Sequence, residues 1–320
     1  MGAIQAQDYQ AALWAVGVRC ADGVKRSEVE KALADRSVIR TWVMRGTIHL
    51  AASRDVRWML DLLTPRVLAA MSKRASALGL DATSFAACAR AFRRALKDGA
   101  ILTREQMYQV MESAGVHAGS QRGYHVLCRL AQEKVICFGP QEGARQTFVL
   151  LDDWCPPEEA YVPASPLAEL AVRYFTSHGP ATDKDLAWWS GLTLREVRQG
   201  LAEASGSLSR YEWEGTVYWT SPEFEDPGSR GLLLPGFDEY LLGYADRQHV
   251  LDAQYAQKIV PGSNGVFRPI LVQQGRIIGT WQLAKRKRSE VVLDMFEKTA
   301  PRGFNPAIQR YADYLDETLD

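Results

Sequence analysis

Ile4-Gln5-Ala6-Gln7-Asp8 places two amides and a carboxylate directly ahead of the apolar run Ala11, Ala12, Leu13, Trp14 and Val16. A glutamine carbonyl can accept a hydrogen bond from water while its NH2 donates elsewhere. A neighbouring carboxylate can stabilise developing positive charge. In an extended backbone Gln5 and Gln7 face the same side, whereas on a helix they diverge. The chemistry therefore needs an extended or turn backbone here, with Asp8 then capping the helix that follows. The plainer alternative is that Asp8 is only that cap and both glutamines are ordinary surface residues.

The chain that must position these groups has 320 residues, enough for two or three domains with a sizeable core. With 47% hydrophobic and 24% charged residues it reads as globular rather than disordered. Lys+Arg and Asp+Glu both number 38, so any anion-binding surface has to be a local patch and not a global field. Met1 leads into Gly2-Ala3-Ile4 without a basic start and a long apolar stretch, which predicts no signal peptide. No apolar run approaches the roughly 20 residues of a membrane span. Five scattered cysteines with no C-x-x-C predict reduced thiols and a cytoplasmic protein, and no His/Cys spacing suggests a zinc site.

The supporting elements recur. Residues 9–22 read as a helix, Ser27 as the cap of a second, and Thr47 to Leu50 as a strand, with Gly46 breaking a helix before it. Residues 54–78 read as helical with a break at Pro65, and 82–98 as another helix. Thr103 then caps a helix, 120–132 forms the next, and Val135 to Phe138 with Thr147 to Leu150 makes a hairpin. In the third copy Thr182 and Thr193 cap two helices and a hairpin turns at Glu214-Gly215. Helix, turn, helix, hairpin is the order of a winged helix, and three copies argue for a tandem array. After Arg230 come short apolar runs, a hairpin turn at Gln274-Gly275 and a terminal helix from Pro306 to Leu319. The expected fold is α+β: tandem winged-helix domains over 1–80, 81–155 and 156–225, then a small β-rich C-terminal domain over 226–320.

Four stretches, in register along the chain, resemble the AlkZ/YcaQ-like winged-helix DNA glycosylases. They are Gln5-Ala6-Gln7-Asp8, Arg40 to Leu50 (RTWVMRGTIHL), Leu234 to Tyr244 (LPGFDEYLLGY), and Gly265-Val266-Phe267-Arg268-Pro269 with Gly279-Thr280-Trp281. The resemblance implies a monofunctional enzyme that excises alkylated purines, notably N7-alkylguanines and in some members crosslinked ones, from double-stranded DNA. It implies a catalytic Gln-Φ-Gln motif, matched here by Gln5 and Gln7, and no cofactor or metal. The family's His-Φ-Pro element has its nearest match at His49-Leu50-Ala51. The family also carries a helix ahead of Gln-Φ-Gln, whereas four residues precede Gln5; either the start codon lies further upstream or the helix is missing, and without it the motif is expected to lack part of its support.

The expected catalytic set is Gln5, Gln7 and Asp8. The expected DNA contacts are Arg40, Arg45, His49, Arg54, Arg93, Arg94, Lys97, Lys285 and Arg286. Arg90, Arg93, Arg94 and Lys97 share helical spacing and could track phosphates or form a solvated face. Three modules in one chain suit a monomer. The alternative function is a non-catalytic DNA-binding protein or regulator, which more often has paired half-sites and two-fold symmetry.

Overall fold

The computed structural model describes residues 1–223, 228, 230–263, 265–284, 290–297 and 303–316. It is a mixed helix-and-sheet fold built on one repeated order: a short strand, two helices and a hairpin. The first copy is β1 (Ile4–Gln5), α1 (Tyr9–Gly17), α2 (Arg26–Ala34), β2 (Val38–Met44) and β3 (Thr47–Ala52). Three helices follow: α3 (Ser53–Leu63), α4 (Pro65–Ala77) and α5 (Ala82–Ala95). The second copy is β4 (Leu102–Thr103), α6 (Arg104–Ser113), α7 (Arg122–Gln132), β5 (Ile136–Phe138) and β6 (Thr147–Leu150). A short α8 (Leu151–Trp154) and α9 (Pro166–His178) lead to α10 (Asp183–Ser190), α11 (Leu194–Glu203), β7 (Ser209–Trp213) and β8 (Thr216–Thr220). In this third copy a single bridge, Ala181 to Trp219, replaces the short strand.

The caps at Thr103, Thr182 and Thr193 are made as expected, each side chain accepting the backbone N–H three residues on. Gly46 breaks no helix. Arg45 and Gly46 have φ of 53° and 71°, so together they make the tight turn between β2 and β3. Val38 to Met44 is strand throughout, buried on both faces, which is why it shows no alternation. The second helix is capped at Lys25 rather than Ser27, because Glu28 Oε2 accepts the Lys25 N–H at 2.8 Å.

The first two copies are not separate bodies. Their hairpins join in one six-stranded sheet of order β1-β3-β2-β5-β6-β4, with Arg40 opposite Phe138 at the seam. One apolar cluster packs the first copy and α5 against the second copy (Ala6, Trp42, Phe92, Met107, Phe148). Another joins the first copy, α3 and the second copy to α9 and the third (Ile39, Met59, Val149, Tyr174, Trp189). The cores therefore cross residues 80 and 155, where the sequence suggested boundaries.

The C-terminal part holds β9 (Leu232–Leu234), α12 (Glu239–Leu242), α13 (Ala256–Ile259), β10 (Ile270–Gln273), β11 (Arg276–Leu283), β12 (Val291–Met295) and α14 (Asn305–Leu315). Its sheet has the order β12-β11-β10-β9 and turns at Gln274-Gly275. Tyr240 to Leu242 is helical rather than extended because Asp238 Oδ1 accepts the Tyr240 N–H at 2.8 Å. Trp14 and Trp281 each donate an indole N–H at 2.8 Å, to Leu233 O and Leu234 O. The Trp14 bond ties α1 to the C-terminal sheet beside the Gln-Ala-Gln stretch, and the Trp281 bond fastens β11 to the end of β9.

Candidate active site

The backbone is extended at Ile4–Gln5 and bends at Gln7, within the extended-or-turn geometry that the chemistry calls for. Gln5 pairs with His49 across β1 and β3, the Ala6 N–H donates to Ile48 O at 2.7 Å, and Asp8 then caps α1 through Ala11 N at 3.0 Å. The stretch is well supported by the rest of the fold. Ala6 is fully buried, and Arg40 donates twice to its carbonyl, from Nε at 3.3 Å and Nη2 at 3.0 Å. The two glutamines differ. Gln5 is 9% exposed, and its Oε1 accepts from Arg45 Nη2 at 3.3 Å. Gln7 is exposed, its Oε1 only 3.4 Å from the Ile48 N–H, so most of its amide remains free for other partners.

A carboxylate that the sequence reading did not single out lies beneath this strand. Glu239, at the start of α12, is completely buried. Its Oε1 accepts the Gln5 N–H and its Oε2 the Trp189 indole N–H, each at 2.8 Å. His178 Nε2 stands 3.8 Å from Oε2, too far for a hydrogen bond. Burial works against ionisation of Glu239, but the facing His178 and His49 imidazoles and the Gln5 N–H outweigh it and hold the carboxyl well below the usual range. Glu239 is thus a fixed negative charge under the motif. Asp238 braces it: its buried carboxylate takes both Arg19 Nη atoms, at 2.8 and 2.7 Å. Two adjacent acids inside the run Phe237-Asp238-Glu239-Tyr240-Leu241-Leu242 were the available signal, since a buried charge must find partners.

His49 also belongs to this cluster. It is fully buried in β3, with Nδ1 2.9 Å from Thr47 O, so Nδ1 carries the proton and Nε2 is left as an acceptor. That Nε2 has no hydrogen-bond partner among the described residues. Burial, reinforced by the Arg45 charge, lowers the imidazole to about 4, so it is neutral near pH 7.

Several expected DNA contacts are corrected by these positions. His49 is enclosed in the sheet and reaches no ligand at the surface. Arg40 is 4% exposed, bonded to Ala6 O and covered by the Tyr9 and Phe138 rings, and burial lowers its guanidinium to about 10. Arg45 is turned inward, donating from Nη1 to Trp188 O at 3.3 Å and to Trp189 O, besides Gln5. Asp8 is exposed, and one of its oxygens is committed to the helix cap. Arg54, Arg93, Arg94 and Lys97 are exposed, the last three beside Arg90 on one stripe running from α5 into the next turn. Lys285 and Arg286 lie outside the described residues.

Comparison with known proteins matches this arrangement to one family. The family described as DNA glycosylase AlkZ-like matches residues 1–315. An interstrand DNA cross-link repair glycosylase from Streptomyces sahachiroi is 27% identical over 317 residues, covering 92% of this chain and 83% of that protein. The solved structure of Streptomyces sahachiroi DNA glycosylase AlkZ superposes with a TM-score of 0.79 at 24% identity, covering 99% of this chain and 90% of that one, a likeness of fold. With its family matched over nearly the whole length and the Gln-Ala-Gln strand in place, the chain belongs to the AlkZ-like DNA glycosylases.

Proposed function

We propose that this protein hydrolyses the N-glycosidic bond of N7-alkylated purines in double-stranded DNA, with Gln5 and Gln7 placing the water and the sugar. The observation that carries the reading is the locked strand. Gln5 is held through its backbone by Glu239 and through its side chain by Arg45, while Gln7 is exposed and its amide engages only the Ile48 N–H among the described residues. An N7-alkylguanine is already cationic, so its C1′–N9 bond can break without a proton being supplied to the base. The electron pair leaves with the base, which departs neutral. Water then bonds to C1′ and loses its proton to solvent.

The enzyme's task is to position that water and to stabilise a sugar with oxocarbenium character. The Gln7 carbonyl can accept from the water. Gln5, its carbonyl turned to Arg45, can offer its NH2 to the sugar or phosphate oxygens. The fixed Glu239 charge favours positive charge developing above the strand. The three strand–helix–helix–hairpin units are read as winged helices around the duplex. Arg54, Arg93, Arg94 and Lys97, with Lys285 and Arg286, would serve as phosphate contacts of a monomer. The cross-link repair named for the Streptomyces sahachiroi relative supports extending the substrate range to bulky N7 adducts and interstrand crosslinks.

The test is release of N7-methylguanine from a methylated duplex under single turnover. Removing one preorganised group of this kind costs on the order of 10²–10³ in rate. Gln7→Ala should show that loss with little change in Tm, because the side chain is exposed and gives up only the long 3.4 Å bond from the Ile48 N–H. Gln5→Ala should show it together with about 1 kcal/mol of lost stability, because Arg45 Nη2 loses its acceptor. Release that survives in the double variant would remove both residues from the mechanism.

A further inference from the structure

We propose that Arg247 is a phosphate clamp beside the Gln-Ala-Gln strand, gripping the DNA backbone next to the target nucleotide, with Trp188 as the exposed ring that packs over its guanidinium. The proposal rests on the reading of Gln5 and Gln7 as the reaction site. Its geometry begins just after Glu239. Gly243 O accepts from the Tyr174 hydroxyl at 2.7 Å, the Tyr244 hydroxyl donates to His178 O at 2.8 Å, and the Ala245 N–H donates to Asp185 Oδ1 at 2.9 Å. These bonds strap residues 243–245 across α9 and α10 and deliver Arg247 to Trp188. Its guanidinium carbon lies 5.8 Å from the Trp188 ring and 5.9 Å from the Phe267 ring. Trp188 is 51% exposed, and its carbonyl accepts from the same Arg45 that holds Gln5. One arginine therefore links the clamp to the motif.

Apart from these two rings, no group among the described residues engages this guanidinium. The Nε of Arg247 is buried and has no hydrogen-bond partner among them, and no carboxylate among them forms an ion pair with Arg247 or Arg45. The adjacent Asp246 has an oxygen turned to the Gln248 N–H, at 3.0 Å. Burial and the Arg45 charge both work against the charge on Arg247. The like charge of Arg45 costs stability in the free protein, and an anion bound at the Arg247 guanidinium offsets that cost. A guanidinium flanked by rings presents a fixed fork, the shape that matches a phosphodiester in two parallel hydrogen bonds.

The experiment measures binding to an undamaged fluorescent duplex across a salt series, together with thermal unfolding. Arg247→Gln should weaken binding about tenfold and make the slope of log K against log salt shallower by about 0.9, the loss of one phosphate contact. Its Tm should stay close to that of the wild type, because relief of the like charge beside Arg45 offsets the lost contacts with the Trp188 and Phe267 rings. Arg247→Lys should keep the slope, having kept the charge. An unchanged slope in Arg247→Gln, or a lowered Tm showing that the side chain holds the fold, would overturn the proposal. Binding to undamaged duplex does not depend on base release, so this outcome is separate from that of the Gln5 and Gln7 variants.

Discussion

Glu239 Oε1 accepts the backbone N–H of Gln5 at 2.8 Å across 234 positions of sequence, so a carboxylate of the C-terminal part holds the N-terminal motif in place. The other oxygen takes the Trp189 indole, which makes Glu239 the point where three parts of the chain meet. Glu239→Ala leaves both donors buried without an acceptor and should cost about 3–5 kcal/mol in urea unfolding. Glu239→Gln keeps an acceptor for Gln5 but turns an NH2 toward the indole N–H, at a cost of about 1–3 kcal/mol. In that variant single-turnover base release should fall on the order of 10²-fold, because a small displacement of a reacting group has that effect. Its affinity for duplex should stay within twofold. Wild-type release by Glu239→Gln would show that the carboxylate supports the fold without placing the motif.

The pH dependence of stability follows from His49. Its imidazole is lowered from 6.5 to about 4 by burial. Between those values the unfolded chain binds a proton that the folded protein refuses. Stability is therefore full above pH 6.5 and falls as the pH drops toward 4, by about 3 kcal/mol in total. Glu239, whose carboxyl is depressed, contributes stability that is present above its ordinary range and lost only as the pH falls below it. The first loss on acidification thus belongs to the histidines, His49 above all, with a smaller part from His125, which burial also lowers. Urea midpoints at pH 7.5 and pH 5 should differ clearly in the wild type and much less in His49→Gln. An equal drop in the variant would assign the acid sensitivity elsewhere.

What the sequence revealed was what short-range geometry decides. Thr103, Thr182 and Thr193 cap their helices, and Glu214-Gly215 and Gln274-Gly275 turn their hairpins, because each depends on residues within a few positions. The extended backbone at Gln5 followed from the same logic. Gly46 was misread because β2 is buried on both faces and carries no alternation. The merging of two modules into one sheet passes through the pair Arg40 and Phe138, which no local pattern announces. Arg40 was expected at DNA because it falls among the basic residues Arg45 and Arg54, and His49 because it is the nearest match to the His-Φ-Pro element that the resemblance implies. Their burial depends on Ala6 O and on the distant Glu239 cluster. Arg247 drew no notice for the same reason, since its rings come from Trp188 and Phe267.

The tightness of that cluster can be tested at Gly243, which follows α12. Its φ of -66° is open to any residue, so only space restricts the position. A Cβ there would lie 2.5 Å from His178 Cδ2 and 2.7 Å from Glu239 O, both too close. His178 cannot swing away freely, because it stacks on Tyr174 with ring centroids 4.5 Å apart and is tilted against Trp189 at 5.5 Å. Gly243→Ala should therefore cost about 1–3 kcal/mol through overpacking, partly offset by about 0.4–1 kcal/mol from a stiffer unfolded chain. Base release should fall with it, because the displaced His178 and Trp189 border the Glu239 carboxylate that holds Gln5. Adding His178→Ser removes one of the two clashes, so the double variant should recover part of the Tm lost by Gly243→Ala, and the coupling can be read from a double-mutant cycle. A wild-type Tm and rate in Gly243→Ala would mean that the strap across α9 yields easily, and that Glu239 is held less firmly than its hydrogen bonds imply.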